Sequence, residues 1–449
     1  MTIQVSANPM TAELTPTMKR DAYLAHLLNL VKQTQPTQAW LTALRDRALA
    51  QVQSQSFPTT RDEEWRFTDL SPLLEVPFAG VGSSPAETLR ERESGVGLGT
   101  LDRFVLPEAV NSRLVFVDRV YAPELSSIAN LPDGLTVGAL SGLPDLKLET
   151  YLGQQSGHDE LFTALNTAGL TDAAIVWVPK NLAVETPIHL LFVSTAGETP
   201  LFNQPRCLVV AEPNSSVTIV EEYGAIGQGQ SFTNAVTEIW VEGNAEVNHT
   251  RLQRESDPAF HVGKTAVSQA RDSRYICHAI SLGAAISRHH LEIYQTGEQI
   301  QTTLNGLTIA RGTQLADTHS KIALTQPYAT TNQLHKCIVD DRAHTVFNGK
   351  VFVPQAAQLT NAGQLNQNLL LSPKARVDTK PQLEIVADNV KCTHGATVGQ
   401  LEADEVFYLQ SRGIDADSAR SLLIYAFAIE IINDIPIETL RDRLSECFR

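Results

Sequence analysis

The chain has 449 residues, of which 43% are hydrophobic and only 6% aromatic, and 35 basic against 50 acidic side chains give it a formal net charge of −15. This length predicts two or three domains, and the acidic balance argues against the basic surface that nucleic-acid binders use. The five cysteines are widely spaced, which argues against a secreted disulfide framework.

The first part of the chain has a helical pattern. Residues 1–17 are polar and predicted to be disordered. Apolar residues at spacings of three and four then predict helices over 19–33 and 38–55. The run 63–70 follows, and its two aromatic side chains would share one face of an extended segment that docks on the core.

A stretch rich in Gly, Pro and Ser covers residues 71–99 and predicts a linker or irregular insertion. Its glycine run at 95–99 lacks the spacing of a dinucleotide-binding loop and is interpreted as plain loop. A short strand is predicted at 114–117 and a helix at 158–168.

From residue 173 the pattern becomes one of short apolar or β-branched runs separated by polar turns. The turns recur at intervals of about 14 residues or twice that, as expected of a stacked array of coils. A right-handed parallel β-helix with two strands in each coil of about 28 residues fits this spacing. A pair of β-sandwiches is the alternative on pattern alone.

The carboxy-terminal region returns to a helical pattern. Helices are predicted over 402–411, ended by Gly413, and over 418–433, with Asp415 as the N-cap. A last helix runs over 436–447. Because a β-helix must protect its open ends, the helices at the two termini are predicted to cap them.

No signal-peptide pattern stands at the amino terminus, and the longest apolar run, 422–432, has 11 residues. A membrane-spanning helix needs about 20. We therefore expect a soluble, cytoplasmic protein that does not contact a membrane.

Candidate ligand residues stand where the strand-like pattern gives way to the helical one. Cys392 and His394 are two residues apart, so an extended backbone would present the thiol and the imidazole on the same face. Gly395 follows, where the chain can turn freely. Further histidines and cysteines lie in strand-like segments and face either a polar outer surface or a polar tunnel: His289, His290, His335, Cys337 and His344.

Enzymatic motifs are mostly missing. The Gly-Lys pair at 349–350 has neither the upstream glycine nor the Ser or Thr of a phosphate-binding loop. The acidic residues at 340–342 and 317–319 are the candidates for carbohydrate-cleaving carboxylates, and each is better explained as a solvated turn. A β-helix carbohydrate-active enzyme remains the alternative function.

Three stretches together resemble the SufB/SufD family, the scaffold subunits of the SUF iron–sulfur cluster assembly machine. The matching residues are Glu63, Glu64, Trp65, Arg66, Phe67, Thr68, Asp69 and Leu70; then Phe347, Asn348, Gly349, Lys350, Gln364 and Asn366; and last Cys392, His394, Gly395, Ala396, Phe407, Tyr408 and Gly413. The Cys-x-His-Gly form is similar to the SufD branch. Asn389 and Thr393 depart from the family pattern, where an acid and a serine are more usual.

The resemblance implies a β-helix core and a non-catalytic scaffold that pairs with a SufB-like paralogue and docks a SufC-like ABC ATPase. The chain alone would be able to form a homodimer. An iron–sulfur cluster shared with SufB would be held transiently and no cofactor permanently. His394 would be the cluster ligand, with Cys392 an auxiliary ligand or sulfur relay.

The carboxy-terminal helices would form the partner-binding surface, with Leu422, Phe427, Glu430 and Leu440 as its residues. The predicted division is a helical region at 1–75, a linker leading into the core at 76–172, the β-helix at 173–394 and a helical domain at 395–449.

Overall fold

The computed structural model describes residues 16–32, 38–80, 101–143 and 146–448. The loop at 95–99 and residues 1–15 of the predicted disordered stretch 1–17 lie outside these residues, whereas residues 16 and 17 begin a helix. The described helices are α1 (Pro16–Val31), α2 (Ala39–Gln53), α3 (Leu161–Ala168), α4 (Ala403–Gln410), α5 (Ala416–Asn433) and α6 (Glu438–Glu446). They confirm the predicted helices within a few residues at each end.

The rest of the described chain contains 22 strands. These are β1 (Ala79–Gly80), β2 (Ser112–Val117), β3 (Val120–Tyr121), β4 (Ser127–Ile128), β5 (Thr136–Ala139), β6 (Ala174–Val178), β7 (Ile188–Ser194), β8 (Leu201–Asn203), β9 (Arg206–Ala211), β10 (Ser216–Ala225), β11 (Ser231–Val241), β12 (Glu246–Arg254), β13 (Phe260–Gln269), β14 (Arg274–Ser281), β15 (Ile286–Gln295), β16 (Gln301–Ala310), β17 (Leu315–Ala323), β18 (Thr330–Val339), β19 (His344–Val353), β20 (Asn361–Leu370), β21 (Arg376–Ile385) and β22 (Lys391–Gln400).

The strands form two 11-stranded sheets in the described residues, and the chain alternates between them. Sheet A ends with β17, β19 and β21, and sheet B ends with β18, β20 and β22. The pairs β2–β3, β2–β4 and β5–β6 are antiparallel. From β7 onward neighbouring strands run parallel, and Phe260 pairs with Ile286 while His344 pairs with Arg376. This spacing confirms the predicted parallel β-helix, and the β-sandwich alternative is wrong. Sheet B already begins at β2, which pairs in parallel with β7.

One corner of the coil is formed by a ladder of left-handed residues. Asn181, Asn214 and Asn244 have φ of 65°, 61° and 58° in successive coils. The Asn214 amide donates to the Asn181 oxygen at 2.9 Å, and the Asn244 amide donates to Asn214 at 3.0 Å. Asparagine tolerates this backbone region better than most residues, which explains why it recurs there.

The lumen of the β-helix changes in character along its axis. Near the first coils Phe116, Phe192 and Tyr223 stack in register, with ring centroids 5.3 Å apart at each step. Further along, the inward positions of sheet B become polar, for example Gln333 and Gln364. The lumen therefore contains hydrogen-bonded polar side chains beside an apolar cluster that continues to Ala362 near the last coil.

The amino-terminal helices lie along the outer face of sheet A. Leu27 and Leu165 of α1 and α3 belong to one buried apolar cluster with Phe202, Phe232 and Phe260, which follow one another across the sheet. The prediction that these helices cap an end of the β-helix is therefore wrong. They cover a flank, because the apolar row repeats from coil to coil.

The carboxy-terminal helices cover the opposite flank. Ile431 of α5 and Leu440 of α6 pack against a row on the outer face of sheet B that contains Leu252, Ile280 and Leu307. These helices therefore do not cap the last coil either. None of the helices in the described ranges has the length and hydropathy of a bilayer crossing.

The run 63–70 is not extended, contrary to the prediction. Glu63–Trp65 forms a single 3₁₀ turn, and the Trp65 ring lies under the guanidinium of Arg288, whose Cζ is 4.1 Å from the ring centroid. The ring also packs against Phe162 at 5.3 Å. This segment still docks on the core, but by cation–π and aromatic contacts.

Candidate functional site

The candidate ligand pair lies at the open end of the β-helix, on the last strand. β22 pairs with β20 on one side and has no second partner in the described part of the chain. The strand continues through Gly395 to Gln400, so the chain does not turn at Gly395, although glycine would allow it. Most of its side chains are exposed, as expected of an uncovered edge.

Both candidate residues face the lumen. Cys392 pairs in register with Ala362, and its side chain packs against the buried lumen cluster. His394 pairs with Gln364, which is itself buried. The two residues therefore lie on the same inward face at the mouth of the lumen, as the spacing predicts.

The two side chains differ in environment. Cys392 is partly buried, and this burial raises the pKa of its thiol although a hydrogen bond with the Ala362 backbone opposes the shift. His394 is exposed, and its side chain makes no hydrogen bond or ion pair among the described residues. The imidazole is thus free to bind a ligand from outside, whereas the thiol is held protonated at the rim.

The backbone of β22 presents a row of unused donors. The Lys391 amide donates to Thr360 O at 2.9 Å, toward β20, and alternate residues of a strand point their amides to opposite sides. The amides that face away from β20 belong to Cys392, His394, Ala396, Val398 and Gln400. This edge is therefore a template for an additional strand.

The edge of β21 in sheet A is protected. The Arg376 amide donates to Ala343 O at 2.9 Å, so residues an odd number of positions further along point their amides outward. Pro381 occupies one of these outward positions and has no amide proton. Proline at such a position is a known means of blocking strand addition, and β22 has none.

The remaining histidines and cysteines divide between the two environments that their alternation left open. His289, His335 and Cys337 are buried in the lumen. Burial lowers the pKa of His335 to about 4 and raises the pKa of Cys337 to about 12. His290 and His344 face outward instead. His335 donates to or accepts from the Thr308 hydroxyl at 3.0 Å, and His289 pairs in the same way with Thr265, so both lumen histidines already have hydrogen-bond partners.

A charged cluster is fully enclosed in the lumen further from the mouth. Nε2 of His249 donates to Glu221 at 3.0 Å and its Nδ1 donates to the Tyr275 hydroxyl at 2.9 Å. Burial opposes the charged imidazole, but hydrogen bonds with Cys277 and Glu221 raise the pKa of His249 to about 9. The imidazole is thus paired on both sides, so removing one partner would leave the other buried without a hydrogen bond.

The outer face of sheet A carries a cleft of about 670 Å³, away from the lumen mouth, that sequence reasoning missed. Glu160, His290 and Glu292 bring three possible metal-ligand atoms within 4.8 Å of one another there. The Lys264 ammonium already donates to Glu160 at 2.8 Å and to Glu292 at 2.9 Å, and Lys321 donates to Glu292 at 2.6 Å. These carboxylates are neutralised, so the group is an ion-pair network.

The acidic residues considered as carbohydrate-cleaving carboxylates also have partners within the chain. Asp317 is buried and pairs with Arg288 and His319, which hold the pKa of its carboxyl well below its usual range despite burial. Asp341 is exposed in a left-handed turn with φ of 52° and accepts the Gly312 amide at 2.9 Å. Neither residue is a free catalytic carboxylate.

The predicted partner-binding residues fall into three situations. Leu422 is 47% exposed, whereas Leu440 is 2% exposed in the cluster beneath α6. The assignment of Leu440 to a partner surface is therefore wrong. Glu430 pairs with Lys336 at 2.5 Å, and Lys336 also lies 4.8 Å from the Phe427 ring centroid, so this pair fixes α5 to the sheet.

Other exposed apolar side chains at the carboxy-terminal end of the described chain were not predicted as partner-binding residues. Phe407 and Tyr408 of α4 are 69% and 57% exposed, and Val398 at the end of β22 is 52% exposed. Because Phe407 and Tyr408 follow the last strand closely in the sequence, they could have been predicted to lie near its end. Exposed large apolar side chains are candidates for contacts with a partner.

The fold and site define a parallel β-helix protein in which the candidate ligand residues lie on the strand that forms the unpaired edge of one sheet. The family described as "SUF system FeS cluster assembly, SufBD core domain" matches residues 192–427, and the family described as "SufBD protein N-terminal region" matches residues 23–190. The chain belongs to the SufBD family of iron–sulfur cluster assembly proteins.

Relatives place it more closely. An iron–sulfur cluster assembly SufBD family protein of Synechocystis sp. is 50% identical over 401 residues, covering 87% of this chain and 86% of the relative. Protein ABCI7, chloroplastic, of Arabidopsis thaliana is 36% identical over 416 residues, covering 90% and 84%. Iron-sulfur cluster assembly protein SufD of Escherichia coli is 31% identical over 401 residues, covering 88% and 89%. These similarities support a SufD-type subunit.

Proposed function

We propose that this chain is a non-catalytic scaffold subunit that pairs with a SufB-like paralogue through β22 and docks a SufC-like ATPase through its carboxy-terminal helices. It would act in the cytoplasm. The observation that carries the proposal is the conjunction of an unprotected strand edge with Cys392 and His394 on that same strand.

The geometry supports pairing at this end. The outward amides of β22 require acceptors, and a strand of a second β-helix supplies them. Exposed apolar side chains near the end of the last coil, Ile385, Val386 and Val398, would be buried at the same time. The same edge permits a homodimer when the paralogue is absent, because a strand of a second copy would supply the same acceptors.

The nascent iron–sulfur cluster would be the substrate of this scaffold, held for a time and passed on. Thiolates are the usual ligands of such clusters and imidazole is a known replacement. His394 would supply the imidazole, since its ring has no partner within the described chain. Cys392 would serve as auxiliary ligand or sulfur relay once a partner or metal favours its thiolate.

The patch of Phe407, Tyr408 and Leu422 is the proposed docking surface for the ATPase subunit. It lies on α4 and α5, on residues that do not pack against sheet B. The buried residues of α5 and α6 hold the helices on the β-helix, so attachment and docking use different faces.

The test is reconstitution of the complex. The untagged chain is co-expressed with tagged SufB-like and SufC-like subunits, and iron and sulfide in the purified complex are measured for wild type, His394→Ala and the control Thr393→Ala. Thr393 lies between the two ligand residues and pairs with Gly363. We expect all three complexes to form and melt alike, with cluster content lost only in His394→Ala. A full cluster in His394→Ala contradicts the ligand assignment, and failure to co-purify contradicts the pairing.

A further inference from the structure

Gln364 lies directly beneath His394 in the stack of lumen-facing residues. The two are register partners on β20 and β22, and Gln364 is 3% exposed. Its side-chain nitrogen donates to Gln333 Oε1 at 2.9 Å, in the coil below. Its side-chain oxygen has no hydrogen-bond partner in the described structure. A buried acceptor therefore stands next to an imidazole that also lacks a partner.

The opposite wall of the lumen makes room for this carboxamide. Gly349 of β19 faces it, and a Cβ built on Gly349 would overlap the side-chain nitrogen of Gln364 and lie 2.7 Å from its Cδ. Any larger residue at 349 would displace the amide. Gly349 and Gln364, both part of the sequence resemblance, thus pack directly against each other in the lumen, and Gln364 lies one strand before β22 in sheet B.

A buried acceptor without a partner is unfavourable, so the amide oxygen of Gln364 favours any donor within reach. The donor on the adjacent coil at the same register is a ring N–H of His394, and same-face neighbours on adjacent strands lie about 5 Å apart. We propose that Gln364 is a positioning residue that accepts a ring N–H of His394 and so fixes its tautomer. The hydrogen bond does not depend on the proposed function, whereas its use in orienting a cluster ligand rests on that function.

The consequence is chemical. A neutral imidazole has one N–H and one nitrogen with a lone pair. If the N–H is held by Gln364 inside the lumen, the lone pair is directed out of the mouth, toward the edge where the partner and cluster would lie. Ligating histidines are oriented in this way by a second hydrogen bond, and loss of that bond typically weakens metal binding about 10- to 100-fold.

The test reads the tautomer in the full-length isolated chain, labelled with ¹⁵N-histidine, above the pH at which histidine titrates. His394→Asn assigns the resonance. We expect His394 of the wild type to show a single tautomer, Gln364→Leu to show averaging between both, and Gln364→Glu to restore the single form because a carboxylate also accepts. The control is Gln367→Leu on the same strand, which pairs with Thr397 and should change nothing.

Several outcomes overturn the proposal. Averaged tautomers in the wild type would mean that water, not His394, satisfies Gln364, and that measurement stands even if Gln364→Leu fails to fold. An unchanged His394 signal in folded Gln364→Leu is equally decisive. In the reconstituted complex we expect the iron content with Gln364→Leu to be at most about one tenth of the wild-type content. A tautomer fixed by Gln364 together with a full cluster in His394→Ala would uphold the positioning while refuting the proposed function.

Discussion

Ala396→Pro is the sharpest perturbation of the open edge. Ala396 lies in the middle of β22, and its amide points away from β20 by the alternation that starts at Lys391. Proline there removes a donor that the chain does not use internally. The preceding residue is Gly395, which tolerates the restriction that proline places on its neighbour. The isolated protein should therefore keep its fold, with stability within about 1 kcal/mol of wild type.

The effect on pairing is larger. A strand added to β22 loses the hydrogen bond from residue 396, and the proline ring keeps the added strand from closing the bonds on either side. Three net bonds at about 0.5 to 1.5 kcal/mol each give about 1.5 to 4.5 kcal/mol. With about 1.4 kcal/mol for each factor of ten, the affinity for the partner should fall roughly 10- to 1000-fold.

Sedimentation velocity measures this effect, both for the isolated chain and for mixtures with the SufB-like subunit. Ala396→Val is the matched control, since it keeps the amide and suits a strand. We expect the control to associate as wild type and Ala396→Pro to remain monomeric, with equal melting temperatures. Association of a native-melting Ala396→Pro at wild-type affinity would show that the β22 edge is not the interface.

Two further predictions follow from the helices and the docked amino-terminal segment. Leu422→Asp should leave stability within about 0.5 kcal/mol while weakening ATPase-subunit binding, whereas Leu440→Ala should cost about 2 to 5 kcal/mol of unfolding free energy in chemical denaturation; equal stability of the two variants would contradict the burial argument. Burial lowers the pKa of His319, but the carboxylates of Asp317 and Glu64 outweigh this effect and raise it. In turn, the hydrogen bond with His319 lowers the pKa of Glu64 to about 2. Docking of the segment should be tightest between pH 4.5 and 6.5, weakening as pH rises through the raised His319 value or falls toward 2; fluorescence of Trp65 should report it, and a pH-independent signal would refute it.

The β-helix was predictable because its repeat is written in the sequence. Each coil needs two turns, and turn residues such as Asn214 and Asn244 recur at the coil interval. The shared face of Cys392 and His394 followed from the period of two in a strand. Local rules of this kind carry over to the structure unchanged.

Contacts between distant residues were not predictable. Glu64 pairs with His319, 255 positions away, and nothing local in the run 63–70 announces this partner. The prediction that the terminal helices cap the β-helix was wrong for a related reason, because the apolar face of a helix does not indicate whether it packs on an end or on a flank. The signal that would have decided it was the outward row Leu252, Ile280 and Leu307, which repeats at the coil interval.

A β-helix has no intrinsic end, so its last coil must be blocked or covered. In this chain the helices cover the flanks instead, and Pro381 blocks the edge of β21 alone. β22 keeps all of its outward amides, carries Cys392 and His394 at the mouth of the lumen, and lies beside exposed apolar side chains. Leaving that edge open exposes the chain to non-specific strand pairing. The arrangement is consistent with a subunit whose missing cap is a strand of its partner, which would bring the partner's groups to the same mouth.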